Sequence, residues 1–135
     1  MGRSRSYRSL NVPPRILIVD DDIRVAAALR RILRDYTLEL CYSGAEAVER
    51  CLEGDYDLVL CDMMMPGLSG MDVYLRLTEL RPEIIPRIVF VTGGTFTPGI
   101  TAFMDRISNL VVEKPVSRPL LLQIVAQLTG GSLDK

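Results

Sequence analysis

Histidine is absent from all 135 residues. No imidazole of this chain can serve as base, metal ligand or phosphoryl carrier, so any such chemistry must come from another molecule. No apolar run approaches the ~20 residues that a membrane helix needs. No secretory signal pattern opens the chain. No Gly-rich phosphate loop with its lysine is present, which argues against nucleotide binding. Charge of one sign does not dominate either: the net charge is −1, with 24% charged residues. Neither nucleic acid nor a membrane surface is a default partner on that balance. Cysteines are few: Cys41, Cys51 and Cys61, odd in number and ten residues apart. They lack the close pairs of zinc sites and the density of a disulfide scaffold, and read as reduced core residues of a cytoplasmic protein.

What is present is enough for one compact domain with a real core, at 48% hydrophobic residues. Residues 1–14, "MGRSRSYRSLNVPP", are polar, lack periodicity and end in Pro13-Pro14. They read as a flexible arm or linker whose Arg3, Arg5 and Arg8 could touch an anion or partner. A regular rhythm then begins. "RILIV" (15–19) is a strand, and "DIRVAAALRRILRDY" (22–36) is a helix with Val25, Leu29, Ile32 and Tyr36 on one stripe. "TLELCY" (37–42) is a strand near the sheet edge, since it carries Glu39. Ser43 and Glu46 form a capping-box pair that opens a helix closed by Gly54. "YDLVLC" (56–61) is continuously apolar, as a strand buried on both faces should be. Ser69 and Asp72 open a helix that stops before Pro82. "RIVFV" (87–91) is the fourth strand, and Thr97-Pro98 starts a helix with Ile100, Phe103, Met104 and Ile107 on one stripe. "NLVV" (109–112) is the fifth strand. Ser117 caps a last helix that ends at Gly130-Gly131, so the domain spans 15–130 and leaves 131–135 as a tail.

Strand and helix alternate five times, which predicts an α/β fold with an open parallel sheet and helices on both faces. Ligands of such sheets bind beyond the carboxyl ends of the strands. Asp20, Asp21 and Asp22 follow the first strand, Asp62 the third, Thr92 with Gly93-Gly94 the fourth, and Glu113, Lys114 and Pro115 the fifth. Each residue alone has a plain alternative. Asp22 reads as a helix cap, Thr92 as a strand-end hydroxyl, and Lys114 as a surface charge. Together, the ends of four strands converge acids, a hydroxyl and a lysine on one rim. Two carboxylates at roughly 5 Å and an effective dielectric of about 20 repel by ~3 kcal/mol. Such a cluster holds a proton or a cation. Hard carboxylate oxygens suit magnesium, while Lys114 and Thr92 suit phosphoryl oxygens.

At these residues the chain resembles a response-regulator receiver domain, the CheY-like phosphoacceptor of two-component signalling. The matching motifs are "ILIVDDD" (16–22), "DLVLCDMMMPGLSG" (57–70), "VTGG" (91–94) and "VEKPV" (112–116). The resemblance implies a flavodoxin-like sheet of order 2-1-3-4-5 with five helices. It implies that Asp62 is the phosphoacceptor and that Asp20, Asp21, Asp62 and the backbone carbonyl of Met64 hold Mg2+, with Asp20 acting through water. It further implies that Thr92 and Lys114 grip the phosphoryl oxygens. The expected partner is a histidine kinase or histidine phosphotransfer protein, with no nucleic acid and no membrane contact by this domain. The expected role is signalling rather than enzymatic turnover, beyond the domain's own phosphoryl acceptance and autodephosphorylation. Stretch 93–116 is similar to receivers of hybrid histidine kinases, and a free-standing receiver is the equal alternative.

Two departures bear on this. Val111 stands where receivers often carry an aromatic switch residue, and Ile23 where proline is frequent. The side chains of Met63 and Met65 read as loop filling rather than a metal box. A pseudo-receiver, the same fold used only as a protein-binding module, is the rival from another class. A haloacid-dehalogenase-type phosphatase would need a second aspartate at position 64, which is Met64.

Overall fold

The computed structural model describes residues 13–94 and 96–130. All of the expected arm except Pro13 and Pro14 lies outside the described residues, as do Gly131 and the tail. The elements run β1 (Arg15–Val19), α1 (Ile23–Ile32), β2 (Thr37–Cys41), α2 (Gly44–Glu53) and β3 (Leu58–Asp62). They continue as α3 (Gly70–Leu80), a 3-10 helix (Pro82–Arg87), β4 (Ile88–Thr92), α4 (Pro98–Arg106), β5 (Val111–Glu113) and α5 (Arg118–Leu128). The sheet order is β2-β1-β3-β4-β5, all parallel. None of the described helices is long and apolar enough to cross a membrane.

Alternation along the strands divides the core in two. Leu17, Val19, Val59, Cys61 and Phe90 face α2, α3 and α4. Ile16, Ile18, Leu58, Leu60 and Val91 face α1 and α5. Every residue of β3 and β4 is buried, which is why their sequences read as unbroken apolar runs. All three cysteines are free and buried in the first of these cores. Burial pushes the thiols of Cys41 and Cys51 up to about 12 and that of Cys61 well above its ordinary value, so they are packing groups, not nucleophiles.

The helix starts follow the cap chemistry. The side chains of Asp22, Ser43, Ser69, Thr97 and Ser117 each accept a backbone N–H of the following turn. Ser69 and Asp72 close a reciprocal capping box. At Ser43 the box is modified, because Glu46 takes the N–H of Tyr42.

Several boundaries differ from expectation. The first helix stops at Ile32, because Leu33 caps it and a turn through Tyr36 must deliver the chain to β2. The third strand starts two residues later than expected, at Leu58, and ends one later, on Asp62 itself. The fifth begins at Val111, since the Asn109 side chain turns back to donate to the carbonyls of Ile85 and Ile88. Ile107 falls just beyond α4. The 3-10 helix is a sixth helical element beside the five expected; Pro82 opens it and Pro86, lacking an N–H, keeps it short.

The end of the sheet opposite the acidic rim is tied by arginines. Arg81 donates to the carbonyls of Cys51 and Gly54 and to Asp55. Arg87 donates to Asp55 and to the Tyr56 carbonyl. Arg15 bonds Glu39 and the Asp55 carbonyl, and its guanidinium lies 5.0 Å from the Tyr56 ring centre. Three arginines thus grip the loop that feeds β3. Arg81 is only one-fifth exposed, and charge-assisted bonds to such groups contribute about 1.5–3 kcal/mol. Arg81→Ala is expected to lower unfolding free energy by roughly that amount, read from the urea midpoint at unchanged slope.

Candidate functional site

β1, β3, β4 and β5 bring the expected residues to one rim. The carboxylates of Asp20, Asp21 and Asp62 offer oxygens within 4.8 Å of one another. Asp20 is 1% and Asp62 4% exposed, while Asp21 is open to solvent. Lys114 reaches in from the end of β5, its Nζ 3.0 Å from Asp20 Oδ2 and 3.4 Å from Asp62 Oδ1. Its peptide bond to Pro115 is cis. Thr92 is buried at the end of β4, and its Oγ1 accepts the N–H of Gly94 at 3.3 Å, which leaves the hydroxyl proton free to donate elsewhere. Asp22, by contrast, is turned to capping α1.

Backbone groups hold the acids in place. Asp20 Oδ1 accepts the Asp22 N–H at 2.9 Å. Asp62 Oδ1 accepts the Met64 N–H at 3.4 Å. Met63 N–H bonds the Val91 carbonyl and Gly70 N–H the Met63 carbonyl, so the chain after β3 folds tightly back on itself. Met63 and Met65 are buried, as loop filling requires, and Met64 is exposed.

Burial is the main cause that pushes the Asp62 carboxyl up, from 3.8 to about 6, with the Asp20 charge adding to it and Lys114 pulling back. Burial pulls the Lys114 ammonium down, but the facing carboxylates outweigh it and hold it above its ordinary range. The local charge is therefore not settled by the lysine alone. Asp20 Oδ2 is buried with no hydrogen bond of good geometry, and the Lys114 ammonium stands 3.0 Å from it. A buried carboxylate oxygen with an open bonding site, beside two more acids, fits a hard divalent cation.

Sequence reasoning did not find Gly70. A Cβ there would lie 2.6 Å from the Asp62 carbonyl oxygen and 2.9 Å from Met63 Cα. α3 can pack this close to the site only because that position carries no side chain. A glycine just after a capping serine gives no hint of this, since the clash comes from eight residues upstream.

The family model of the response regulator receiver domain matches residues 16–126. The chain belongs to this family, the receiver class of two-component signalling. It is similar to the response regulator MprA of Mycobacterium sp. strain KMS, 43% identical over 92% of this chain and 54% of that one. It is similar to the transcriptional regulatory protein ResD of Bacillus subtilis, 31% identical over 87% of this chain and 49% of that one. The chain thus spans about half the length of these curated relatives. Among solved structures, it resembles a CheY-like receiver domain protein from Methanospirillum hungatei at TM-score 0.77 and 25% identity, over 87% of this chain and 94% of that one. The fold also matches the receiver domain of the sensor histidine kinase PA1611 of Pseudomonas aeruginosa, at TM-score 0.78 and 23% identity, over 89% of this chain and all of the other. That structure has a magnesium ion coordinated in its active site cleft.

The raised Asp62 group sets a pH dependence for the metal-free protein. Between pH 3.8 and about 6 the folded state binds this proton and the unfolded state does not. Its contribution to stability is full below pH 3.8 and is lost as pH rises through about 6. Asp62→Asn cannot ionise, so in EDTA it is expected to match wild type near pH 4 and to be the more stable of the two at pH 7. Paired thermal melts across that range measure the gap; a gap that shrinks with rising pH contradicts the assignment.

Proposed function

We propose that this domain, residues 15–130, accepts a phosphoryl group onto Asp62 from a phosphohistidine of a histidine kinase or histidine phosphotransfer protein, and works on the cytoplasmic side. The observation that carries the reading is the position of Asp62: a buried carboxylate at a strand end, 3.4 Å from Lys114 and clustered with two further acids. These 135 residues contain no histidine, so the donor imidazole lies outside this domain.

The chemistry follows from the placement. An Asp62 oxygen attacks phosphorus in line with the departing imidazole nitrogen. A P–O bond forms, the P–N bond breaks, and its electron pair stays on the imidazole. Lys114 and the Thr92 hydroxyl are set to take the phosphoryl oxygens, a point charge and a hydrogen-bond donor for the charge that builds there. Asp20, Asp21, Asp62 and the Met64 carbonyl would hold Mg2+. When bound, the ion supplies the positive charge that lets a negative carboxylate and a negative phosphoryl group approach. Burial holds the Asp62 side chain rigid, so positioning replaces acid–base catalysis.

Intact-protein mass spectrometry after incubation with phosphoramidate tests this. The expected product is a single magnesium-dependent phosphoryl adduct, absent in Asp62→Asn. A stable adduct on Asp62→Asn would overturn the assignment. Lys114→Ala is expected to retain magnesium binding while losing on the order of tenfold or more in phosphorylation rate, as is common when a charge-stabilising donor is removed.

A further inference from the structure

Glu113, at the end of β5, takes no part in the site described above. It is the register partner of Thr92 at the end of β4. Register partners in neighbouring strands stand about 4.8 Å apart and send their side chains to the same face. The Glu113 side chain therefore leaves the sheet beside the Thr92 hydroxyl. Glu113 is exposed, but its carboxylate lies against the loop after β4: a Cβ on Gly94 would meet Glu113 Oε2 at 2.6 Å. Gly94 has a φ of +90°, so glycine is favoured there, and the carboxylate takes the space it leaves. The same Gly94 donates its N–H to Thr92 Oγ1 at 3.3 Å. No cation pairs with Glu113 among the described residues. The adjacent Lys114 is committed to Asp20 and Asp62.

We propose that Glu113 is a selectivity residue of the rim: its uncompensated charge favours a divalent cation there and opposes the phosphoryl group that Thr92 is set to hold. The inference rests on the phosphoacceptor reading. Glu113 touches neither group and acts by its field. Its carboxylate stands beside the hydroxyl and the loop that would meet the phosphoryl oxygens, so two anions share one neighbourhood. Unit charges near a protein surface act on one another over such separations, and salt screens them. The field has opposite signs for the two groups. It draws Mg2+ toward the acids and pushes a phosphoryl group away. Phosphoryl acceptance then depends more steeply on a bound cation than three acids and one lysine alone would require. A merely solvated glutamate at this position would move neither quantity.

The test is a charge series at this exposed position: wild type, Glu113→Gln and Glu113→Lys, one unit of charge per step. In the whole chain, magnesium affinity is read from the amide NMR shifts of residues 20–22 and 62–64. Labelling by phosphoramidate at saturating magnesium is read from intact mass. Each step is expected to weaken magnesium binding about threefold and to speed labelling about threefold at low salt. Both trends should flatten at high salt. A structural disturbance would instead move both quantities the same way, or leave the neutral variant out of order. A flat series, parallel changes, loss of the charge order, or trends that persist at high salt would overturn the proposal. The magnesium measurement needs no phosphodonor. A flat series in a protein that is labelled defeats only the role of Glu113, whereas failure of the wild type to be labelled defeats the phosphoacceptor reading.

Discussion

Three carboxylates that repel one another are forced to within 4.8 Å, and the architecture is arranged around that repulsion. Two of them are nearly sealed from water, where the repulsion is least screened. A parallel sheet supplies the rigidity to hold them, because β1 and β3 are adjacent, hydrogen-bonded and buried on both faces. Lys114 arrives from the far side of β4 and offsets part of the charge, yet Asp20 Oδ2 stays without a hydrogen bond of good geometry. The rim is thus held short of electrostatic neutrality by its own packing. A hard divalent cation at these oxygens would relieve that condition.

The fold was legible because the strongest rules agree. Alternating strands and helices dictate parallel pairing, and the caps mark each helix start independently. The rim was legible for the same reason: strand ends are where charged residues break an apolar run, as Asp62 does after "LVLC". What stayed hidden depends on contacts between residues distant in sequence. The side chain of Asn109 reaching two carbonyls, and Gly70 against the Asp62 carbonyl, leave no local pattern. Nothing near Arg15, Arg81 or Arg87 in the sequence marks them as partners of the loop they hold. The 3-10 helix was missed because a Pro-rich stretch reports only where an α-helix ends.

Val111 gives the domain a different interior near β5. It pairs with Phe90, and the aromatic contacts there come from Phe103 on α4 and Tyr74 on α3 instead. Phe90 and Thr92 are two residues apart on one strand and share a face. One step inward from the hydroxyl at the rim is therefore the Phe90 ring, packed against rings of two helices and not against a ring on the neighbouring strand.

The arginine grip at the base of β3 has a further consequence. A parallel strand buried on both faces has apolar residues at every position, so hydrophobicity alone hardly distinguishes one alignment from the next. Sliding β3 by a single residue would present Cys61 or Met63 at the rim in place of the carboxylate. Hydrogen bonds to the backbone carbonyls of Gly54, Asp55 and Tyr56 can be made in one alignment only. The base of the sheet thus acts as a register lock, and the chemistry at the rim depends on a choice enforced at the opposite end of the strand.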